Sequence, residues 1–122
     1  MTATEIVEIE MLNNKGEWVT ETFELKPYGT PWQYERDMHE ASVKTSNSLA
    51  ADIFLCERYL PHVIGKDRFM QEGLDSKLKF TEVLEEFFIN DSTALQMLSQ
   101  KVGFFLSPAT KIRFEKRNIS QN

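Results

Sequence analysis

Cys56 is the only cysteine in the chain, which excludes an internal disulfide framework and fits a reducing compartment such as the cytoplasm. Histidine is nearly as scarce, with His39 and His62 alone. The five glycines are scattered, and Gly65-Lys66 lacks the preceding spaced glycine that a phosphate-cradling loop needs. No apolar run approaches the ~20 residues of a membrane-spanning helix, so no membrane segment is expected. The opening stretch, Met1 to Glu10, carries three acidic residues and no basic cluster, and it does not read as a secretory signal. Repeats, low-complexity tracts and long linkers are also missing, so residues 1–122 are expected to form a single domain.

What the chain does have is apolar periodicity. Hydrophobic residues make up 41% of it, enough to build a core and to argue against wholesale disorder. Glu5–Leu12 alternates, with Val7, Ile9 and Met11 on one side. Glu17–Leu25 alternates again, with Val19, Phe23 and Leu25 facing away from Trp18, Thr20 and Thr22. Asn13-Asn14-Lys15-Gly16 between them has turn composition, so residues 5–25 read as a β-hairpin. Two strands alone are marginal in water, so one face must pack on helices or on another chain.

Residues 30–106 read as helical. Thr30-Pro31 is a helix start, a capping hydroxyl followed by a residue whose missing N–H costs nothing there. That helix is expected to reach Val43 or Lys44, and Thr45-Ser46-Asn47-Ser48 either kinks it or separates it from the next. The next carries Leu49, Ile53, Cys56 and Leu60 as one stripe and is expected to end near Pro61. The stretch from Gly65 to Gly73 has room for one or two helical turns. A third helix is expected from Asp75 or Ser76, bearing Phe80, Val83, Leu84, Phe87 and Phe88. Asn90-Asp91-Ser92 stops it and caps a fourth, which bears Leu95, Leu98, Val102 and Phe105 and closes at Pro108. Residues 107–122 read as a polar, basic tail anchored only by Ile112, Phe114 and Ile119. The expected class is α+β, mainly α: a hairpin followed by about four helices.

Chemistry is harder to find. Met38-His39-Glu40-Ala41 is not a zinc-protease signature, because position 43 is Val. Glu35 and His39 share a helix face and could offer two metal ligands, a pattern that surface helices often produce by chance. Cys56 lies in an apolar stripe, the setting of a buried and inert thiol. Glu85 and Glu86 point in different directions and cannot serve one substrate as an acid/base pair; they read as a solvated face opposite the phenylalanines. The sequence therefore points away from an enzyme and implies no cofactor or metal.

Adhesive surface is plentiful by contrast. Phe87-Phe88 and Phe104-Phe105 place four rings within 19 residues. Either all of these rings are core, or Phe88, Phe104 or Leu106 contributes to an exposed patch for a partner. Trp18, Trp32, Tyr28 and Tyr34 are expected to cluster where the hairpin meets the first helix. Trp18, on the strand face opposite Val19 and Phe23, is the best of them as a partner anchor. Charge is also uneven: residues 1–24 hold six glutamates against one lysine, while Lys111–Arg117 holds four basic residues and one glutamate. That asymmetry fits either a solvated strand face and tail or electrostatic matching between copies. So short a basic segment on a chain of net charge −5 is a poor nucleic-acid footprint.

The N-terminal hairpin "EIVEIEMLNNKGEWVTETFEL", the Thr-Pro-started helix and the amphipathic helices ending in a basic segment together resemble the tail assembly chaperones of long-tailed bacteriophages. The resemblance is one of layout, across about residues 5–106. It implies a mainly helical, non-enzymatic protein of the host bacterial cytoplasm that coats the hydrophobic tape-measure protein and hands it to tail-tube subunits. It also implies self-association. A small regulatory or adaptor protein of a bacterial mobile element, acting by protein–protein binding, is the alternative.

Overall fold

The structure, a computed structural model, describes the backbone of residues 3–120 and the side chains of residues 3–118. Strands β1 (Glu5–Leu12) and β2 (Trp18–Leu25) pair antiparallel, with Val7 opposite Phe23 and Met11 opposite Val19. The turn forms as its composition requires. The Gly16 N–H donates to the Asn13 carbonyl (3.0 Å), and Gly16 takes a φ of 80°. The Asn13 N–H donates across to the Glu17 carbonyl (2.8 Å), while its side-chain oxygen accepts from the Lys15 and Glu17 amides (both 2.9 Å). This is a three-residue hairpin loop with a glycine bulge.

Val7, Ile9, Met11, Phe23 and Leu25 are all buried, and β1 lies against a later helix. Glu21 faces the same side, opposite Ile9, where an unpaired carboxylate would be costly. Arg68 answers it, with Nη2 2.6 Å from Glu21 Oε2 and the guanidinium carbon 4.5 Å from the Phe23 ring centre.

Helix α1 (Pro31–Lys44) starts as the sequence predicts, with the Thr30 hydroxyl accepting from the Gln33 amide at 3.1 Å. Helix α2 (Ser48–Val63) is separate, capped by the Asn47 side chain on the Ala50 amide (2.8 Å). It runs through Pro61 rather than ending before it. Proline removes a single N–H, and here that loss falls in the last turn. Fully buried Leu60 and Val63 hold that turn to the core, and the Val63 carbonyl accepts from the Lys26 amide at 2.8 Å.

Lys66–Phe69 forms one 3₁₀ turn, and helix α3 (Phe80–Phe87) begins later than the predicted Asp75 or Ser76. The intervening chain is held as a loop: Lys66 Nζ donates to the Ser76 and Leu78 carbonyls (3.1 and 2.8 Å), and Asp75 Oδ1 accepts from the Lys77 amide (2.9 Å). Helix α4 (Ser92–Leu106) is capped by Asp91, whose Oδ1 accepts from the Ala94 amide (3.1 Å). Its other oxygen accepts from the Leu12 amide (3.0 Å), so one carboxylate starts α4 and fastens β1 beside it.

The expected polar tail is a fifth helix, α5 (Pro108–Ser120). Ser107-Pro108 repeats the Thr30-Pro31 signal: a hydroxyl residue, then a proline at the first helical position. Ser107 is fully buried, 3.1 Å from Glu35 Oε2 and 2.8 Å from the Thr110 hydroxyl. Phe114 packs on Phe104 with ring centres 5.3 Å apart. Ile112 is exposed, and the Ile119 side chain, the third expected anchor, lies outside the described residues.

Candidate polypeptide-binding surfaces

The core consumes most of the phenylalanines. Phe69, on the 3₁₀ turn, stands within 5.5 Å of Phe23, 5.3 Å of Phe87 and 5.8 Å of Phe80, centre to centre. Phe87 and Phe88 meet edge to face at 4.8 Å. Leu106 is only 7% exposed and stands in no exposed patch, contrary to that expectation; Phe88 is only 4% exposed, and what remains of it lines a groove between helices. The reason lies in the packing of α3 on the 3₁₀ turn and α2, and of α4 against β1, α2 and α5. Phe104 is half-buried under Phe114, while Trp18 is 75% exposed.

Of the four large aromatic residues near the hairpin, Tyr28 and Tyr34 come together on Tyr59 (5.9 and 5.2 Å), while the two tryptophans stand apart. Tyr34 is buried there, and Tyr28 also stacks on His62 (4.2 Å, planes 8° apart). Trp32 is exposed beneath the Arg36 guanidinium, and Trp18 lies on the outer hairpin face beside Leu12.

Two open surfaces carry exposed or half-exposed apolar side chains. The first is the hairpin's outer face and rim, where Ile6 and Trp18 stand among Glu8, Glu10 and Glu24. The Asn13–Glu17 bond sets the ladder so that Ile6, Glu8, Glu10 and Leu12 turn their backbone groups outward, as do Trp18, Thr20, Thr22 and Glu24 on β2. Asp91 takes the Leu12 amide and Arg68 the Thr22 carbonyl. The outward groups at Ile6, Glu8, Glu10, Trp18 and Thr20 have no partner among the described residues.

The second is a groove of about 320 Å³ between α2, α3 and the start of α4. Leu49 and Ile53 form one wall, Leu84 and Phe88 the other, with Leu95 below and Ile89, 59% exposed, at the lip. Glu85 and Glu86 border it, so these acids flank an apolar hollow instead of lying opposite the phenylalanines. Its size matches the lower end of ligand-binding clefts, roughly 300–1,000 Å³. The periodicity marked Leu49 and Ile53 as core stripe, but both stay half-open to this hollow. Ile89 escaped notice because it follows the end of α3 and belongs to no periodic stripe.

Polar groups inside the fold serve to hold it. Asp37 is buried and accepts from the Tyr59 hydroxyl (2.6 Å) and from Arg58 Nη1 (3.0 Å), clamping α1 to α2. Burial, reinforced by that carboxylate, pushes the Tyr59 phenol well above its ordinary value. Burial pushes the Cys56 thiol up to about 12, so it stays protonated at neutral pH. On the surface, the Lys44 ammonium beside Glu40 holds that carboxyl below its usual range. Glu35 serves Ser107 and Arg113, the latter at 3.5 Å. Among the described residues no group of three or more His, Cys, Asp or Glu side chains is placed to hold a metal ion. Nor is any helix among them long and apolar enough to cross a membrane. No protein-family model, no curated protein and no solved structure matches this chain.

Proposed function

We propose that this protein is a non-enzymatic assembly chaperone that receives helical segments of a client polypeptide in the α2–α3–α4 groove. The observation that carries the reading is the groove itself, with apolar walls from Leu49, Ile53, Leu84 and Phe88 and Glu85 and Glu86 at its rim. Such a site takes the apolar face of an amphipathic helix and favours basic residues beside it. Joined to the layout resemblance, it supports the reading that the client is a phage tape-measure protein, delivered to tail-tube subunits in the host bacterial cytoplasm. Net charge of −5 keeps a coated client soluble. Copies of the chaperone associate through the open hairpin edges, with Trp18 as the anchor on that face.

Co-expression with the products of neighbouring genes, followed by pull-down, tests the proposal. The expected catch is a long helix-rich polypeptide that is insoluble alone, and its recovery falls with Ile53→Glu. Capture of a small regulator, unaffected by Ile53→Glu, would favour the adaptor alternative and reject the chaperone. Light scattering across concentration tests self-association: species larger than a monomer are expected, reduced by Trp18→Ser, and strict monomers at high concentration would refute it.

A further inference from the structure

A second hollow, of about 490 Å³, opens between α1, α2, α4 and α5. It is separate from the apolar groove: α2 gives Ile53 to the groove and Asp52 to this cavity, and α4 gives Leu95 to one and Gln96 to the other. Buried Ser99, Tyr34 and Gly103 lie deep in it; Met97, 42% exposed, is at the mouth, and Met38 and Phe104 make half-buried walls. Gly103 lets α4 approach α1 so closely that a methyl group there would come within 2.5 Å of the Tyr34 hydroxyl.

Asp52 is the anomaly. Every other carboxylate turned toward the interior has a cation or a set of backbone amides. Asp37 has Arg58, Glu21 has Arg68, Glu35 has Arg113, and Asp91 has the Leu12 and Ala94 amides. Half-buried Asp52 accepts the Ser99 hydroxyl at 2.9 Å and forms no ion pair among the described residues. Burial therefore raises its pKa, partly offset by hydrogen bonds from Ser99 and Gln96. A carboxylate held in a partly dry cavity without a counter-ion is costly to folding, and a cation entering the cavity relieves that cost.

We propose that this cavity is a socket for an arginine side chain of a partner polypeptide, with Asp52 as its counter-ion and Met38, Met97 and Phe104 packing along its stem and guanidinium. Arginine suits the walls better than lysine. Its guanidinium is planar and weakly hydrated, stacks on an aromatic face, and can bond several acceptors at once. Thioethers adapt to the methylene stem. Asp52 supplies the charged acceptor, and Gln96 and Gln100 are further polar residues of the lining. The socket does not depend on the client assigned to the groove, because it lies on other faces of α2 and α4.

The test is an NMR titration of methionine-methyl-labelled protein with Nα-acetyl-arginine methylamide, its lysine counterpart and its neutral citrulline counterpart. The arginine probe is expected to shift the Met38 and Met97 methyls saturably, the lysine probe to bind more weakly, and the citrulline probe not to saturate. Asp52→Asn keeps the side-chain shape and an acceptor for Ser99, and should weaken arginine binding about tenfold or more. The arginine titration reads the socket alone and the client pull-down reads the groove alone, which separates failure of the socket from failure of the groove. Equal binding of the citrulline probe, or arginine binding that survives Asp52→Asn with the fold intact, would overturn the proposal. So would the absence of saturable shifts.

Discussion

The two halves of the core are built on different principles. Under the hairpin, Phe23, Phe69, Phe87 and Phe88 meet ring to ring around the 3₁₀ turn, with the Arg68–Glu21 pair closing one side. Between α1, α2 and α4 the interior is laced with polar groups: Asp37, Tyr59, Tyr34, Cys56, Ser99 and Asp52. The aromatic half needs only shape, and its stability is the burial of large rings. The polar half needs a partner for every buried atom, and of its two carboxylates Asp37 has Arg58 while Asp52 forms no ion pair among the described residues. Both hollows border α2 and α4, the helices that also carry this polar interior, and the aromatic half adds Phe88 to the wall of the apolar one.

Variants can break that contrast. Phe69→Ala removes the ring on which the aromatic half converges and should cost about 3–5 kcal/mol, read as a cooperative loss in denaturant unfolding. A loss of under 1 kcal/mol would show that the rings do not form one unit. Phe88→Ser and Phe104→Ser sharpen the comparison of the two pairs. The first, buried, should cost roughly 3 kcal/mol or more, and the second, lying under Phe114 near the surface, about 1 kcal/mol. In the polar half, Tyr59→Phe leaves one Asp37 oxygen without its hydroxyl donor and should cost about 1–3 kcal/mol.

The smallest effect has the opposite sign. The folded state binds the Asp52 proton more tightly than the unfolded chain does, because burial raises that pKa. Stability contributed by Asp52 therefore falls as pH rises through the carboxylate range, and the ionised group is a burden at neutral pH. Asp52→Asn should raise the melting temperature slightly at pH 7, and the gain should shrink as the pH drops toward the protonated form. A lower melting temperature for the variant at pH 7 would mean that Asp52 has a stabilising partner.

The hairpin was legible from residues alone, because strict alternation in Glu5–Leu12 and a glycine at the bulge leave one register that buries Val7, Ile9 and Met11. Helix α1 was legible from Thr30-Pro31. Helix α5 carried the same signal in Ser107-Pro108 and was missed, because its thirteen residues have only Ile112, Phe114 and Ile119 to suggest a buried face. The late start of α3 could not be read locally, since Lys66 holds the preceding carbonyls from ten and twelve residues away. The open surfaces were the least legible part. Phe88 and Leu106 look like surface candidates by periodicity, and only the tertiary packing, of α3 on α2 and the 3₁₀ turn and of α4 on β1, α2 and α5, turns them inward. The same packing leaves Ile53 and Ile89 open to a groove that three separate segments build.

The central claim, that the protein works by holding a helical client in this groove, is tested most directly by comparing the client affinity of Ile89→Glu with that of Ile6→Glu. Both residues are exposed, so both variants should fold normally, and each adds one negative charge. Ile89→Glu should weaken binding about tenfold or more through loss of an apolar anchor, while Ile6→Glu, on the hairpin's outer face, should leave it unchanged. Unchanged affinity in Ile89→Glu, or a loss confined to Ile6→Glu, would contradict the account.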